Sequence, residues 1–318
     1  MKTLKLASTE GAALVARLYL DPAGAGNAAG LKGAVLIGGA MGVRQDYYAA
    51  YARWLAAQGF AVMTFDYRGM GDSRTAVQAK SLRGLDADLF AWARDYDTAI
   101  DALRARAPSV PLYLIGHSLG AQLPGLLRNR DRIDGLLSVA AGSGYWRDNA
   151  PQLKRVVLYF WHVLVPVATA LFGYFPGKRI GKVGDLPRGV ILQWRRWCMD
   201  PHYVVGAEGD SVRARYAQVR FPVVALRITD DELMTERGTR VLMDSYANAP
   251  RRVECIAPAD VAAARIGHFG FFRDRFESTL WQRSAALLEA FQRLPSGRHP
   301  AMSAPWGADP NGATGAAT

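Results

Sequence analysis

A serine flanked by glycines is the first candidate for chemistry. The apolar run Val-Pro-Leu-Tyr-Leu-Ile at 110–115 is followed by Gly-His-Ser-Leu-Gly at 116–120 and then by a helix-compatible segment. A serine in this strand–turn–helix context is typical of a sharp turn that exposes a nucleophile at the positive end of the following helix. We expect glycine at 116 and 120 because side chains there would collide with neighbouring backbone. A chance glycine-rich strand end is the alternative, and the context favours Ser118 as a nucleophile.

A serine hydroxyl needs a base at neutral pH, and His268 is the best-placed histidine. It follows the last predicted strand, in a loop where Gly267 and Gly270 permit an unusual conformation and three phenylalanines are expected to anchor the chain in the core. A structural histidine in an aromatic cluster is the alternative. The other histidines lie within the serine turn, where the side chain is expected to point away from the serine, in the middle segment or in the tail: His117, His162, His202 and His299.

An acid that orients the histidine is expected after a late strand. The segment Val-Val-Ala-Leu-Arg-Ile-Thr ends in Asp230, Asp231 and Glu232, and a carboxylate here would fix the tautomer of His268 and stabilise its protonated form. We favour Asp231, with Asp230 as the second choice and a solvated acidic turn as the alternative. The order serine, acid, histidine is the one expected for an α/β sheet enzyme with this turn.

Backbone amides are needed to hold a developing oxyanion. One is the amide of Leu119, directly after the serine. The other is expected from the glycine-rich loop Gly-Gly-Ala-Met-Gly-Val at 38–43, where Ala40 and Met41 are both candidates. An ordinary turn or a phosphate-binding loop are the alternatives, but no Gly-Lys-Ser or Gly-Lys-Thr follows.

These residues must be positioned by alternating strands and helices. After an N-terminal hairpin, apolar strand patterns separated by helical patterns predict a parallel sheet with helices on both faces. Right-handed crossovers bring the loops that follow the strands to one edge of such a sheet. The alternation stops near residue 143. We predict a first core part at 1–142, a helical cap with no clear strand at 143–216, a second core part at 217–294 and a disordered tail at 295–318.

Composition limits the partners. The formal net charge is +11, but the arginines are scattered and no binding motif accompanies them, so we expect no nucleic-acid partner. Cys198 and Cys255 are far apart and the N-terminal segment lacks a secretory pattern, so a cytoplasmic protein is expected.

One segment approaches membrane-spanning length. Residues 156–175 are almost entirely apolar, although His162, Pro166 and Gly173 interrupt them. We interpret them as buried or lid helices, with contact between the cap and a membrane surface as the less favoured alternative.

The motifs resemble those of α/β-hydrolases in the lipase/esterase and serine-aminopeptidase-like (monoacylglycerol-lipase-like) group, including bacterial members. Gly-His-Ser-Leu-Gly matches the nucleophile turn, and Phe-Asp-Tyr-Arg-Gly-Met-Gly-Asp-Ser is similar to the family's Asp-x-Arg-Gly-x-Gly-x-Ser stretch. The 38–43 loop resembles the oxyanion loop His-Gly-x-Gly, with Gly39 in place of the histidine. The acid and histidine loops also match, although Thr235 replaces a common proline. The similarity covers residues 30–142 and 219–292.

The resemblance implies a serine hydrolase with a largely parallel sheet, an inserted helical cap and the triad Ser118, Asp231 and His268. Aligning the helix that follows the oxyanion loop assigns the second donor amide to Met41, beside Leu119. We expect no metal or organic cofactor. The apolar cap favours a lipophilic carboxylic ester as substrate, with thioesters and amides as alternatives. An acyltransferase on the same triad and a non-catalytic scaffold that binds through the cap are the alternative functions, and the oligomeric state stays open.

Overall fold

The computed structural model describes residues 1–20, 30–181 and 183–292. The predicted tail at 295–318 lies outside the described residues, as does nearly all of the glycine-rich loop at 21–30. The predicted N-terminal hairpin is present, since the first two strands pair antiparallel around the Thr9-Glu10-Gly11 turn.

Ten strands are found in the described part of the chain, and they are numbered in chain order: β1 Lys2–Ala7, β2 Ala13–Tyr19, β3 Gly33–Gly38, β4 Phe60–Asp66, β5 Leu112–His117, β6 Gly135–Val139, β7 Tyr174–Phe175, β8 Leu186–Pro187, β9 Val223–Ile228 and β10 Arg251–Ile256. Eight of them form the main sheet in the order β1-β2-β4-β3-β5-β6-β9-β10. The pairs from β4 through β10 are all parallel, whereas β2 runs antiparallel to both β1 and β4. The predicted mostly parallel sheet is confirmed.

The α-helices of the described residues are α1 Ala49–Ala57, α2 Ala76–Lys80, α3 Leu89–Arg104, α4 Leu119–Gln122, α5 Pro151–Tyr159, α6 Val165–Phe172, α7 Arg188–Met199, α8 Val204–Ala207, α9 Asp210–Tyr216, α10 Glu236–Ser245 and α11 Gln282–Gln292. Two π-helical turns, Phe160–Leu164 and Glu277–Trp281, precede α6 and α11. Short 3₁₀ turns occur at Gln45–Tyr48, Gly71–Ser73, Leu123–Leu126, Arg130–Arg132, Trp146–Asp148, Pro258–Val261, Gly270–Phe272 and Asp274–Phe276.

Helices cover both faces of the sheet. Strands β3 to β6 are buried along their whole length, as expected for strands packed on two sides. One apolar cluster contains side chains of α3 and of the segment after β6, and a second contains side chains of α1 and α11. The helix predicted directly after Ser118 is shorter than expected, because it ends at Gln122 and continues as a 3₁₀ turn around Pro124, which has no N–H to donate.

The segment between β6 and β9 consists mainly of helices, α5 to α9. It also contains the antiparallel pair β7 and β8, which the sequence analysis did not predict because two-residue strands carry no alternating pattern. The segment packs against the core near the sheet edge. Gly184 lies so close to Gly42 of the 38–43 loop that a side-chain carbon added at Gly42 would stand 2.7 Å from the Gly184 nitrogen.

The apolar run within this segment is less buried than expected. Leu153–Phe172 forms one helix of 20 residues, and only 22% of its most apolar window is buried. By length and composition alone this helix could cross a membrane, although the core helix of a soluble protein meets the same criteria. The interpretation of this run as buried helices is therefore wrong for one side of the helix.

Candidate active site

Ser118 lies in a strained turn at the end of β5. Its φ of 52° and ψ of −112° fall in a region that non-glycine residues rarely adopt, and such a conformation costs about 1–3 kcal/mol. The flanking glycines are required, since a side-chain carbon at Gly116 would overlap Ala121 backbone and one at Gly120 would overlap the Gly38 carbonyl. The Ser118 amide is held by the carbonyl of Val139 at 3.0 Å. The turn therefore has the conformation expected of a nucleophile elbow.

His268 and Asp231 are brought together. The Nδ1 atom of His268 lies 2.8 Å from Oδ2 of Asp231, and both side chains are buried. The other carboxylate oxygen of Asp231 accepts hydrogen bonds from the amides of Leu233 and Met234 at 2.7 and 2.8 Å. A carboxylate accepts the Nδ1 proton, so Nε2 of the neutral imidazole is left as the proton acceptor.

The two neighbouring acids hold the backbone of the histidine loop. Asp230 accepts hydrogen bonds from the amides of Ile266 at 2.9 Å and Gly267 at 3.1 Å. Glu232 accepts one from the amide of His268 at 3.1 Å. Asp230 thus has a different contact from Asp231, and only Asp231 faces the imidazole. Gly267 has the predicted unusual conformation, with a φ of 67°.

Glu232 is charged where it meets the loop. Burial raises the pKa of its carboxyl, but hydrogen bonds from backbone amides and from Arg265 outweigh burial and lower the pKa overall. Arg265 pairs with the same carboxylate at 3.1 Å. An ionised carboxylate accepts stronger hydrogen bonds than a neutral one, so this charge helps to hold the backbone of His268.

His117 links three loops. Its Nε2 lies 3.0 Å from the carbonyl oxygen of His268, and its Nδ1 lies 2.9 Å from the hydroxyl of Tyr48. A carbonyl can only accept, so Nε2 carries the proton and Nδ1 accepts from Tyr48. The Tyr48 hydroxyl in turn accepts the amide proton of Ala40 at 2.9 Å. The expectation that His117 points away from Ser118 agrees with these contacts.

His117 is neutral. Complete burial lowers its pKa well below the ordinary value of 6.5, and the nearby His268 ring lowers it further. The hydrogen bond to the His268 carbonyl opposes this shift but does not overcome it. A neutral imidazole is the form that the contacts require, because it donates at one nitrogen and accepts at the other.

The 38–43 loop lies beside the elbow. Gly38 is paired in register with Gly116, so the loop begins next to the turn that contains Ser118. The Ala40 amide is already engaged by Tyr48, whereas the Met41 amide donates to no other residue within the described ranges. This difference favours Met41 over Ala40 as an oxyanion donor. The space at Gly39, where relatives have a histidine, is closed by the Tyr48 ring at 3.2 Å.

Two parts of the site were missed by the sequence analysis. Nothing local marks Tyr48 as a partner of His117, although an imidazole inside a buried strand end signals that some partner must exist. Glu232 was considered only as a candidate triad acid. Among the phenylalanines expected to anchor the loop, Phe271 and Phe272 are buried, but Phe269 is 38% exposed.

The remaining histidines of the described part are remote from this constellation by exposure. His162 and His202 are both exposed, and His299 lies outside the described residues. No group of three or more His, Cys, Asp or Glu side chains in residues 1–20, 30–181 and 183–292 could hold a metal ion. A reaction without metal stays a prediction.

The family model for the serine aminopeptidases S33 matches residues 11–184, which is more than half of the chain. The chain belongs to the serine aminopeptidase S33 family. The match includes Ser118 and the 38–43 loop, and it ends before Asp231 and His268. The resemblance stated from the sequence motifs is confirmed: this S33 member is an α/β-hydrolase of the serine hydrolase class.

Solved structures share the fold of this S33 member. A soluble variant of monoglyceride lipase from Saccharomyces cerevisiae, in complex with a substrate analogue, matches with a TM-score of 0.64 and 13% identity over 91% of this chain and 94% of that one. Est816, described as an N-acyl homoserine lactone degrading enzyme, matches with a TM-score of 0.54 and 17% identity over 92% and 100%. At these identities the likeness shows the α/β-hydrolase fold alone.

Curated relatives match a shorter stretch of the sequence. Lysophosphatidylserine lipase ABHD12 of Gallus gallus is 37% identical over 75 residues, which are 24% of this chain and 17% of that protein. The same lipase of Rattus norvegicus matches to the same extent over 16% of its length. The matched stretch therefore spans less than a fifth of these relatives.

Proposed function

We propose that this protein hydrolyses carboxylic esters of lipophilic small molecules through an acyl-enzyme at Ser118. The observation that carries the proposal is the buried 2.8 Å contact between His268 Nδ1 and Asp231, next to a serine held in a strained elbow. Chain order and local conformation agree with the arrangement that serine hydrolases use on this fold.

The proposed reaction has two symmetrical halves. Nε2 of His268 takes the Ser118 proton as Oγ attacks the ester carbonyl carbon, and the same proton passes to the alcohol oxygen when the C–O bond breaks. Water then attacks the acyl-enzyme, gives its proton to His268 and releases the carboxylic acid, which returns the proton to Ser118. The amides of Met41 and Leu119 hold the oxyanion in both halves.

A lipophilic substrate is supported by the surroundings of the oxyanion loop. The side chains of Met41 and Leu119 belong to the same apolar cluster as Trp161 and Val165 of the inserted segment. Two of the matching proteins are described as lipases that act on a monoglyceride or on lysophosphatidylserine, both of which are lipid esters. An apolar wall beside the acyl site would favour substrates of this class.

Labelling with a fluorophosphonate tests the nucleophile. We expect a single adduct on Ser118 in the wild-type protein, no adduct in Ser118→Ala, and normal labelling in Ser138→Ala, the matched buried serine of β6. His268→Ala should fold and label slowly. Folded wild-type protein that carries no adduct at Ser118 would exclude the serine mechanism and favour the non-catalytic scaffold.

A substrate panel tests the leaving group and the acyl chain. We expect hydrolysis of p-nitrophenyl esters with a higher kcat/KM for medium or long acyl chains than for acetate, and little hydrolysis of aminoacyl p-nitroanilides. The reverse ranking would assign a peptidase. Product analysis with an added alcohol distinguishes an acyltransferase, which would form a new ester faster than the free acid.

A further inference from the structure

The helix Leu153–Phe172 exposes an apolar stripe. Eight large hydrophobic side chains are exposed within the described ranges, and five of them lie on this helix. These five, called the apolar stripe below, are Val156, Tyr159, Val163, Val167 and Leu171, with exposed fractions of 56, 58, 44, 52 and 67%. Their spacing of three or four residues places them on one side of the helix.

The opposite side of the same helix is packed into the protein. Trp161 is 2% exposed, Val165 is fully buried, and Ala168 and Thr169 are nearly so. A helix that is apolar all round needs a cover on every side, and this one has a cover on only one. Spanning a bilayer would extract Trp161 and Val165 from the core, so a cover that lies along the stripe fits the structure better than insertion across a membrane.

A π-helical turn keeps the stripe in line. The amide of Val165 donates to the carbonyl of Phe160, five residues earlier, directly before Pro166. In a regular α-helix a spacing of four drifts steadily around the axis, because one turn takes 3.6 residues. The wider turn offsets that drift between Tyr159 and Val167.

The charges around the stripe are all of one sign. Residues 149–184 contain five lysines or arginines and no aspartate or glutamate. Arg155 stands exposed near the start of the helix, and Lys178 and Arg179 stand exposed after its end. The stripe is thus an uncharged apolar surface with cations at both ends.

We propose that the apolar stripe is the docking surface for an anionic phospholipid bilayer, on which the helix lies flat. Apolar side chains would enter the acyl boundary while Arg155, Lys178 and Arg179 meet lipid phosphates. A second copy of this chain is a poorer fit, because either orientation of two such helices would bring cations of one copy against those of the other.

Docking would bring the lipid phase to the site. The inserted segment contacts the oxyanion loop at Gly184 and Gly42, so a bilayer seated on the stripe lies across the segment from the reacting groups. The inference stands on the exposed surface and its charges, and it does not require the proposed ester hydrolysis.

Vesicle co-sedimentation tests the proposal. We expect the wild-type protein to pellet with vesicles of equimolar phosphatidylcholine and phosphatidylglycerol, and only weakly with phosphatidylcholine alone. The double variant Val163→Glu/Val167→Glu should lower the partition coefficient on the mixed vesicles by about tenfold or more. Val77→Glu is the matched control, since Val77 is an equally exposed valine on α2 at 76% and should bind as the wild type does.

Charge reversal separates the two parts of the surface. Arg155→Glu/Lys178→Glu should remove the preference for phosphatidylglycerol, whereas Arg213→Glu on α9 should keep it. Should either double variant prove unstable by circular dichroism, Val163→Ser/Val167→Ser replaces it. Equal binding of the stripe variants and Val77→Glu, or absence of wild-type binding, would overturn the proposal.

Two further measurements make the outcomes distinct. A concentration-dependent dimer in analytical ultracentrifugation that Val163→Glu/Val167→Glu abolishes would overturn the membrane proposal in favour of a second copy. Hydrolysis of a water-soluble p-nitrophenyl ester should be unchanged in every stripe variant. A protein that binds vesicles but lacks this activity would leave docking supported and the proposed function wrong.

Discussion

The catalytic edge of the sheet and the outer side of the helix Leu153–Phe172 are built on opposite rules. At the edge, each acid of the 230–232 loop has a different partner in the histidine loop, and His117 uses both ring nitrogens. On the outer side of the helix, large side chains meet no protein at all. The first region is specified by directional polar contacts, and the second by apolar area and charge. Substitutions should therefore act on geometry in one region and on partner binding in the other.

The largest expected effect is that of Asp231→Asn. The amide would still fill the site but would present a donor to Nδ1 of His268, so the wrong tautomer would be stabilised and kcat should fall by about 10⁴-fold. Steady-state kinetics on a p-nitrophenyl ester measures this. Asp230→Asn keeps an acceptor oxygen for the amides of Ile266 and Gly267 and should cost far less; equal losses in the two variants would contradict the assignment of Asp231.

A smaller effect is expected from Tyr48→Phe. This change removes the acceptor for the Ala40 amide and the donor to His117, while the ring still fills the space beside Gly39. Slight misplacement of the oxyanion and histidine loops should lower kcat by about 10- to 100-fold with little change in KM. Tyr51→Phe, which loses a hydroxyl contact to Ser284 away from the loops, is the control. A rise in KM with normal kcat would show that Tyr48 acts on binding instead.

A pH dependence of stability should follow from His117. Its pKa lies below the unfolded value of 6.5, so its contribution is fully present above pH 6.5 and is lost as pH falls from there towards the folded pKa. The slope from this group approaches about 1.4 kcal/mol per pH unit. Urea unfolding from about pH 7 to about pH 5 should show a shallower slope for His117→Gln, which cannot take up a proton. Identical slopes would mean that His117 is protonated in the folded protein.

The smallest effect concerns the two sides of one helix. Val163→Ala on the stripe should change the free energy of unfolding by less than about 0.5 kcal/mol, whereas Val165→Ala, which opens a cavity in the core, should cost about 2 kcal/mol. Thermal or urea denaturation compares them directly. Similar losses would indicate that the stripe is covered by protein in solution, which is the arrangement expected of a dimer.

Sequence alone predicted those features that short-range patterns determine. The elbow is a local signal, because glycine at 116 and 120 leaves space that no other residue allows, and the strand order follows from regular alternation of elements. The choice between Asp230 and Asp231 could be ranked but not decided, since two neighbouring carboxylates differ only in where their side chains point.

Contacts between distant residues and the exposure of an apolar helix could not be predicted in this way. Tyr48 and His117 are 69 positions apart and meet only when the sheet forms. The run at 156–175 is apolar on every side, so its pattern contains no information about which side is buried, and the structure was needed to find the stripe.

The π-helical turn at Phe160–Leu164 has a consequence for how this segment tolerates insertions and deletions. Removing one residue there would restore regular α-helix and rotate everything that follows by about 100°. Val167 and Leu171 would leave the line of Val156 and Tyr159, and the buried Ala168 would turn towards solvent. The helix is thus permissive to exchange of its exposed side chains and intolerant of any change in its length, so variation in this part of the protein should be found in the side chains and not in the number of residues.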